Sequence, residues 1–390
     1  MNEERRNIIQ HLLKIRKTGA FLLWRSDELV MSLGYQPLWG VSICLFPVEG
    51  IPILYIPELE PRDRLPENII LRTFPWGLMD CSNPWDLLYN MIEQDLAYLG
   101  IETLPVSFIQ NIGQSAPPLM SGEGAPLPSD LRQKLANISQ GGYKDISKDF
   151  LGLYAIKTAI EIERIALANK VASFGIKAFY ANLIPGKSEV EVASAVESAV
   201  QNMVDDLEIK YAKAWPQIQS GVNAQNGGRF NRSTGKKLQS GELVMIEMGV
   251  CVNGYWADIT RTGSTGNLDV KNLRIFEVVR EGQEKAVKAI APGKTTGEID
   301  QIARDYITSC GYGSYFNHAL GHHVGFRYHD PGNPLVPQGN SVLEEGMIYT
   351  VEPGIYGEKL GMGARIEDNV LVTSDRYRIL SDFSRDLKWK

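Results

Sequence analysis

The 390-residue chain is poor in two residue types that often carry chemistry, with four cysteines and five histidines. Cys44, Cys81, Cys251 and Cys310 stand apart without CxxC spacing. That argues against a zinc knuckle or a disulfide framework and suits reduced thiols in a cytoplasm. No segment approaches the roughly 20 continuous apolar residues that a membrane-spanning helix needs. The N-terminal MNEERRNIIQHLLKIRK lacks the apolar centre and small-residue cleavage site of a secretory leader. An excess of positive charge is also missing. At a net charge of -6 the chain offers no basic field for a phosphate backbone, so nucleic acid is not an expected partner and small or neutral substrates fit better. What remains is 44% hydrophobic with both charge signs interspersed, the composition of a globular protein. Its length exceeds what one hydrophobic core usually serves, which predicts two domains.

The first 110 residues alternate apolar runs, AFLLW (20–24), VSICLF (41–46) and IPILYI (51–56), with helical stretches, the pattern of an α/β domain. Between Gly113 and Pro128 the composition shifts to GQSAPPLMSGEGAPLP, whose prolines and glycines predict a loop. A short helix is expected from about Ser129, with Gly141 and Gly142 as its C-cap and hinge. The boundary is therefore placed at 145–150, giving domains 1–148 and 149–390. Within the second, IPGKSEVEVASAVESAV (184–200) and APGKTTGEIDQIARDYI (291–307) resemble each other. Each turns at Pro-Gly after a long amphipathic helix and restarts a helix capped by Ser188 or Thr295. The domain looks internally duplicated. PGKS also resembles part of a nucleotide loop, but that loop requires a glycine at position 181, which is Ala181, so a helix start is the better reading.

Residues 243–263, LVMIEMGVCVNGYWADITRTG, contain the clearest hairpin. Asn253-Gly254 favours a type I′ turn, which pairs Val252 with Tyr255 and Gly249 with Asp258. Glu247 and Asp258 then lie diagonally on one face. A second hairpin, MIYTVEPGIYGEKLGMGARIEDNVLVT (347–373), ends its first strand at Glu352 and interrupts its second with Glu367. Four of the five histidines, His318, His322, His323 and His329, fall within HALGHHVGFRYH (318–329). Converging carboxylates cannot all stay ionised in a low-dielectric site unless a cation neutralises them or some hold protons. Four carboxylates joined by His322 suit Mn, Fe, Co or Zn better than Ca or Mg.

The order carboxylate, ten residues, Asp, HxxxH, Glu-Pro-Gly, Arg-Ile-Glu-Asp resembles the pita-bread (M24-type) metallopeptidases: methionine aminopeptidase, Xaa-Pro dipeptidase, aminopeptidase P and creatinase. The resemblance covers residues 150–390 strongly and 1–145 more loosely. It implies an α+β pita-bread domain of two pseudo-twofold halves behind a smaller α/β domain, and a dinuclear metallohydrolase cleaving Xaa-Pro or similar short peptides in a cytoplasmic homodimer. Carried over, Glu247 would serve a first metal, Asp258 and Glu367 would bridge, and His322 and Glu352 would complete a second. Glu352 would also shuttle a proton. His318 and His329 would contact substrate and the developing oxyanion with Arg365 supporting them, leaving His323 a bystander.

Two departures bear on that reading. Members of the family carry Asp where this chain has Glu247, and one more methylene moves a carboxylate by about 1.5 Å. Where proline-specific members carry a histidine, this chain reads SGVNAQNGGRFNRST (220–234), in which Arg229 or Arg232 could bind a substrate anion. The same scaffold also serves creatinase, ectoine hydrolase and dimethylsulfoniopropionate lyase. The alternative is thus a non-peptidase acting on a small nitrogen or sulfur compound, with an altered or absent metal centre and Glu247 as acid, base or nucleophile. A third alternative is a degenerate, non-enzymatic binding module.

Overall fold

A computed structural model describes residues 2–39, 41–76, 83–110, 127, 129–206, 208–229, 232–381 and 383–388, with the side chains of 226–229 outside the description. The chain divides into two compact units, Met1–Tyr154 and Ala155–Lys390.

In the first unit the apolar runs become strands. These are β1 (Ala20–Leu23), β2 (Ile43–Pro47), β3 (Ile53–Pro57), β4 (Ile70–Phe74), β5 (Val106–Phe108) and β6 (Tyr143–Asp145), in the sheet order β4-β3-β2-β1-β5-β6. The β1–β2 and β2–β3 pairs are antiparallel and the other three parallel. Helices α1 (Glu3–Arg16), α2 (Ser26–Leu33), α3 (Pro84–Tyr98), α4 (Ser129–Ala136) and α5 (Ser147–Ala155) accompany it. Every residue of β1, β2 and β3 is buried, which is why their sequences are continuous apolar runs rather than alternating ones. The α4 helix stops at Ala136, short of the Gly141-Gly142 cap expected from sequence. The physical reason is Ser139, whose hydroxyl bonds to the Glu102 and Leu104 carbonyls while Gln140 N–H donates to Glu102 O at 2.9 Å. Those bonds pull the chain off the helix and onto the 102–105 turn. The expected loop at Gly113–Pro128 lies outside the described residues apart from Leu127.

The second unit is built from α6 (Ala159–Ala181), α7 (Glu189–Gln201), α8 (Val270–Ala289) and α9 (Thr296–Ser309). Its strands are β7 (Ala212–Ser220), β8 (Leu243–Val252), β9 (Tyr255–Ser264), β10 (Ile348–Val351), β11 (Gly354–Gly357), β12 (Met362–Arg365), β13 (Asp368–Val372) and β14 (Tyr377–Ile379). Sheets run β7-β8-β9, β10-β13-β14 and β11-β12, all antiparallel. Two apolar clusters fill it. One joins α6 and α7 to β7, β8 and β9, and the other joins α8 and α9 to β10–β13.

The duplication is visible at the two Pro-Gly-Lys turns. Gly186 and Gly293 both take φ near +90°, a conformation that favours glycine. Each following helix opens with a capping box, Ser188 with Glu191 and Thr295 with Glu298, and Ser188 and Thr295 each form an isolated β-bridge, to Lys237 and Val342. The amides of the first turn are engaged by the protein itself: Gly186 N–H with Leu238 O, Lys187 N–H with Ile184 O and Ser188 N–H with the Glu191 carboxylate. The PGKS run is a helix start.

Candidate metal centre

The β8–β9 hairpin places the first two carboxylates. Asn253 and Gly254 sit at φ 50° and 92°, the left-handed pair of a type I′ turn. The register follows: Val252 opposite Tyr255, Gly249 opposite Asp258, Glu247 opposite Thr260. Glu247 lies on β8, central between β7 and β9, and Glu247 and Asp258 are buried, at 8% and 1% exposure. The second half supplies the rest. Glu352 follows the last residue of β10, and Glu367 sits in the break between β12 and β13, so the β10–β13 pairing brings both to one end of that sheet. His322 arrives on the connection before β10, held by its N–H to Thr350 Oγ1 at 2.9 Å.

The five side chains expected from sequence meet. Single donor atoms from Glu247, Asp258 and Glu367, from His322, Glu352 and Glu367, and from Asp258, His322 and His329 each fall within 4.8 Å of one another. His322 Nε2 lies 3.4 Å from both Asp258 Oδ2 and Glu352 Oε1. Its Nδ1 is 2.9 Å from the His323 carbonyl oxygen, so the ring donates there and turns the Nε2 lone pair toward two carboxylate oxygens. Asp258 Oδ1 and Glu367 Oε1 are buried without any hydrogen-bond donor among the described residues. Thr260, which the sequence reading missed although the turn register puts it opposite Glu247, contacts both Glu247 Oε2 and Glu367 Oε2, the latter at 2.8 Å. Its one hydroxyl proton cannot serve both. Burial, reinforced by the neighbouring carboxylates, pushes Asp258 and Glu367 well above the usual carboxylate range, and burial raises Glu352. A divalent transition-metal cation fits these groups: it would satisfy the two orphaned oxygens and stand between the His322 Nε2 lone pair and the carboxylate oxygens it faces.

Glu247 is bound differently. Its Oε1 accepts from Tyr328, and its Oε2 accepts from Thr260 and from Arg365 Nη2 at 2.5 Å. Burial alone would raise this carboxyl, but Arg365 and the hydroxyl donors outweigh it and bring it to about 2. Tyr328 gave no signal in sequence beyond lying next to His329. Arg365 also donates from Nε to Thr260 Oγ1 at 2.9 Å and from Nη1 to Tyr356 at 3.3 Å.

The remaining histidines diverge. His329 stacks against Tyr328 and His322, with ring centroids 4.7 and 3.9 Å away, its Nε2 3.7 Å from Asp258 Oδ2 and its side chain 43% exposed. Burial against the protein and the His322 ring keep it well below the ordinary imidazole value. His318 gives Nδ1–H to the Ala319 carbonyl at 2.7 Å, leaving Nε2 to accept from the Tyr356 hydroxyl at 3.3 Å. Burial and the nearby Arg365 lower it to about 4. His323 is buried against Tyr349, outside the cluster. Arg229 ends a 3-10 helix, Gly221–Arg229, with its side chain outside the description, and Arg232 is exposed. The ends of that loop are tied by the buried Glu189, which accepts from Ser220 N–H at 2.8 Å and Thr234 N–H at 3.0 Å.

Residues 163–374, the span that holds every member of this cluster, match metallopeptidase family M24. The chain belongs to that family. It is 33% identical to the Xaa-Pro dipeptidase of Pyrococcus horikoshii over 99% of both chains. It is 36% identical to that of Lactobacillus helveticus over 86% of this chain and 85% of the other. The crystal structure of the Pyrococcus horikoshii prolidase superposes with a TM-score of 0.78 at 28% identity, covering 98% of this chain and 99% of that one. The M24 member is thus a peptidase-type hydrolase with the pita-bread α+β architecture expected from its motifs.

Proposed function

We propose that this chain is a metal-dependent Xaa-Pro dipeptidase. The observation that carries the reading is the convergence of Asp258, His322, Glu352 and Glu367, with a buried oxygen on each of Asp258 and Glu367 that has no donor among the described residues, in a chain similar over 99% and 86% of its length to proteins named Xaa-Pro dipeptidase. Asp258, His322, Glu352 and Glu367 are the residues that would hold the ion, with Glu247 adjoining them. A divalent transition metal there would supply Lewis acidity, acidifying a water and polarising the scissile carbonyl.

The protein's own groups account for the rest. Glu352, raised by burial and steadied by Thr350 Oγ1 at 3.1 Å, accepts the proton of the attacking water and returns it to the leaving prolyl nitrogen. His329, neutral and half exposed, donates to the oxygen that gains charge in the tetrahedral transition state. His318, with both ring nitrogens engaged, fixes Tyr356 and through it Arg365. Arg232 and Arg229, on the loop anchored by Glu189, attract the free carboxylate of a dipeptide. A cytoplasmic location accords with Cys44, Cys251 and Cys310 standing outside any disulfide among the described residues and with the lack, among those residues, of a helix able to cross a membrane.

The test is a substrate panel. Protein loaded with Mn(II) or Co(II) should cleave Ala-Pro and Leu-Pro, lose that activity to chelator and regain it with metal. Metal-loaded protein inert toward every Xaa-Pro dipeptide would sink the reading and favour a small nitrogen or sulfur compound as substrate.

A further inference from the structure

Two cations would need two donor sets, and among the described residues the second set depends on Glu247. The set that would hold a second ion is Glu247, Asp258 and Glu367. Glu247 has its oxygens engaged by Tyr328, Thr260 and Arg365. The Arg365 guanidinium is itself buried, its side chain 7% exposed, and its Nη2 sits 2.5 Å from Glu247 Oε2. Releasing Glu247 to an ion would leave that guanidinium without its counter-charge in a dry site, and would set two cations side by side. The extra methylene of a glutamate, compared with an aspartate, carries the carboxylate about 1.5 Å further, and here that carboxylate meets Arg365 and Tyr328.

The uncompensated charge gives the same count. Among the described residues, Asp258 and Glu367 each have a buried oxygen without a donor, and their two negative charges equal those of one divalent ion. Glu247 is neutralised by Arg365, and Glu352 Oε1 accepts from the Thr350 hydroxyl.

We propose that this is a one-cation centre: Asp258, His322, Glu352 and Glu367 hold a single divalent transition-metal ion, and the Glu247–Arg365 ion pair stands where a second ion would bind. The proposal rests on the metal-dependent reading above and fixes its stoichiometry. Glu247 is then a positioning residue. It orients Arg365, Thr260 and Tyr328 around the centre without contacting the ion.

The experiment uses full-length protein saturated with Mn(II) and freed of loose metal by gel filtration, read by elemental analysis and by electron paramagnetic resonance. One Mn per chain with the spectrum of an isolated ion is expected. Two per chain with a spin-coupled spectrum overturns the proposal while leaving the dipeptidase reading intact. None bound overturns both. One ion in a protein that cleaves no Xaa-Pro dipeptide keeps the stoichiometry and removes the function. Glu247→Gln should leave the count at one, and loss of an ion in that variant also overturns the proposal.

Discussion

The Lys157 ammonium and the Asp330 carboxylate meet at 2.9 Å, with neither side chain reaching solvent. Asp330 Oδ1 also accepts the Phe326 and Arg327 N–H groups at 3.1 and 2.7 Å, so this ion pair closes the turn that delivers Tyr328 and His329 to the carboxylate cluster. Lys157→Met should strand the buried carboxylate and cost about 3–5 kcal/mol. The double variant Lys157→Met, Asp330→Asn should recover much of that. Additive losses in thermal denaturation would show that the two residues are not coupled.

Chelation should lower the melting temperature, because Asp258 Oδ1 and Glu367 Oε1 have no donor among the described residues and the cluster holds four carboxylates. At a free ion concentration one hundred times Kd, linkage stabilises by about 2.7 kcal/mol. An unchanged melting temperature after exhaustive chelation of metal-loaded protein would count against any ion at this site.

His329→Ala should reduce kcat by about 10²-fold, the loss seen when one oxyanion donor is removed. With its side chain 43% exposed, its removal should move stability by no more than about 1 kcal/mol. A large fall in melting temperature with kcat preserved would make it a packing residue instead.

Glu28 predicts a pH effect in the first unit. Burial, with Asp27 adding and Arg25 opposing, pushes its carboxyl from 4.5 up to about 7. A folded value above the unfolded one means the stability of the protonated form is fully present below pH 4.5 and is lost as pH rises through about 7. Glu28→Gln keeps an acceptor for the Trp24 and Arg25 N–H groups and cannot ionise. Its melting temperature should exceed the parent's at pH 8 and match it at pH 5. Equal melting at both values would contradict the burial argument.

Much of this was readable one residue at a time. Period-2 patterning and Asn253-Gly254 were enough to put Glu247 and Asp258 on one face, because a two-residue turn leaves a single register. The Pro-Gly-Lys turns announced the duplicated halves, because the chain needs a positive φ and a cap there whatever surrounds it. Acidic residues set in apolar strands marked Glu352 and Glu367 as needing a partner, and the motif order that resembles the family added His322 to them.

Sequence by itself determined the elements and the two halves, since hydrophobic period, turn chemistry and capping act over a few neighbours, and the motif order that resembles the family named the residues that converge. Tertiary structure alone decided what each carboxylate faces. Glu247 is separated from Arg365 by 118 residues and from Tyr328 by 81, and α4 ends early for bonds to the 102–104 turn. Whether a buried carboxylate is answered by a guanidinium or left open to a cation depends on distances across the sheet packing. No local pattern in the chain encodes those distances.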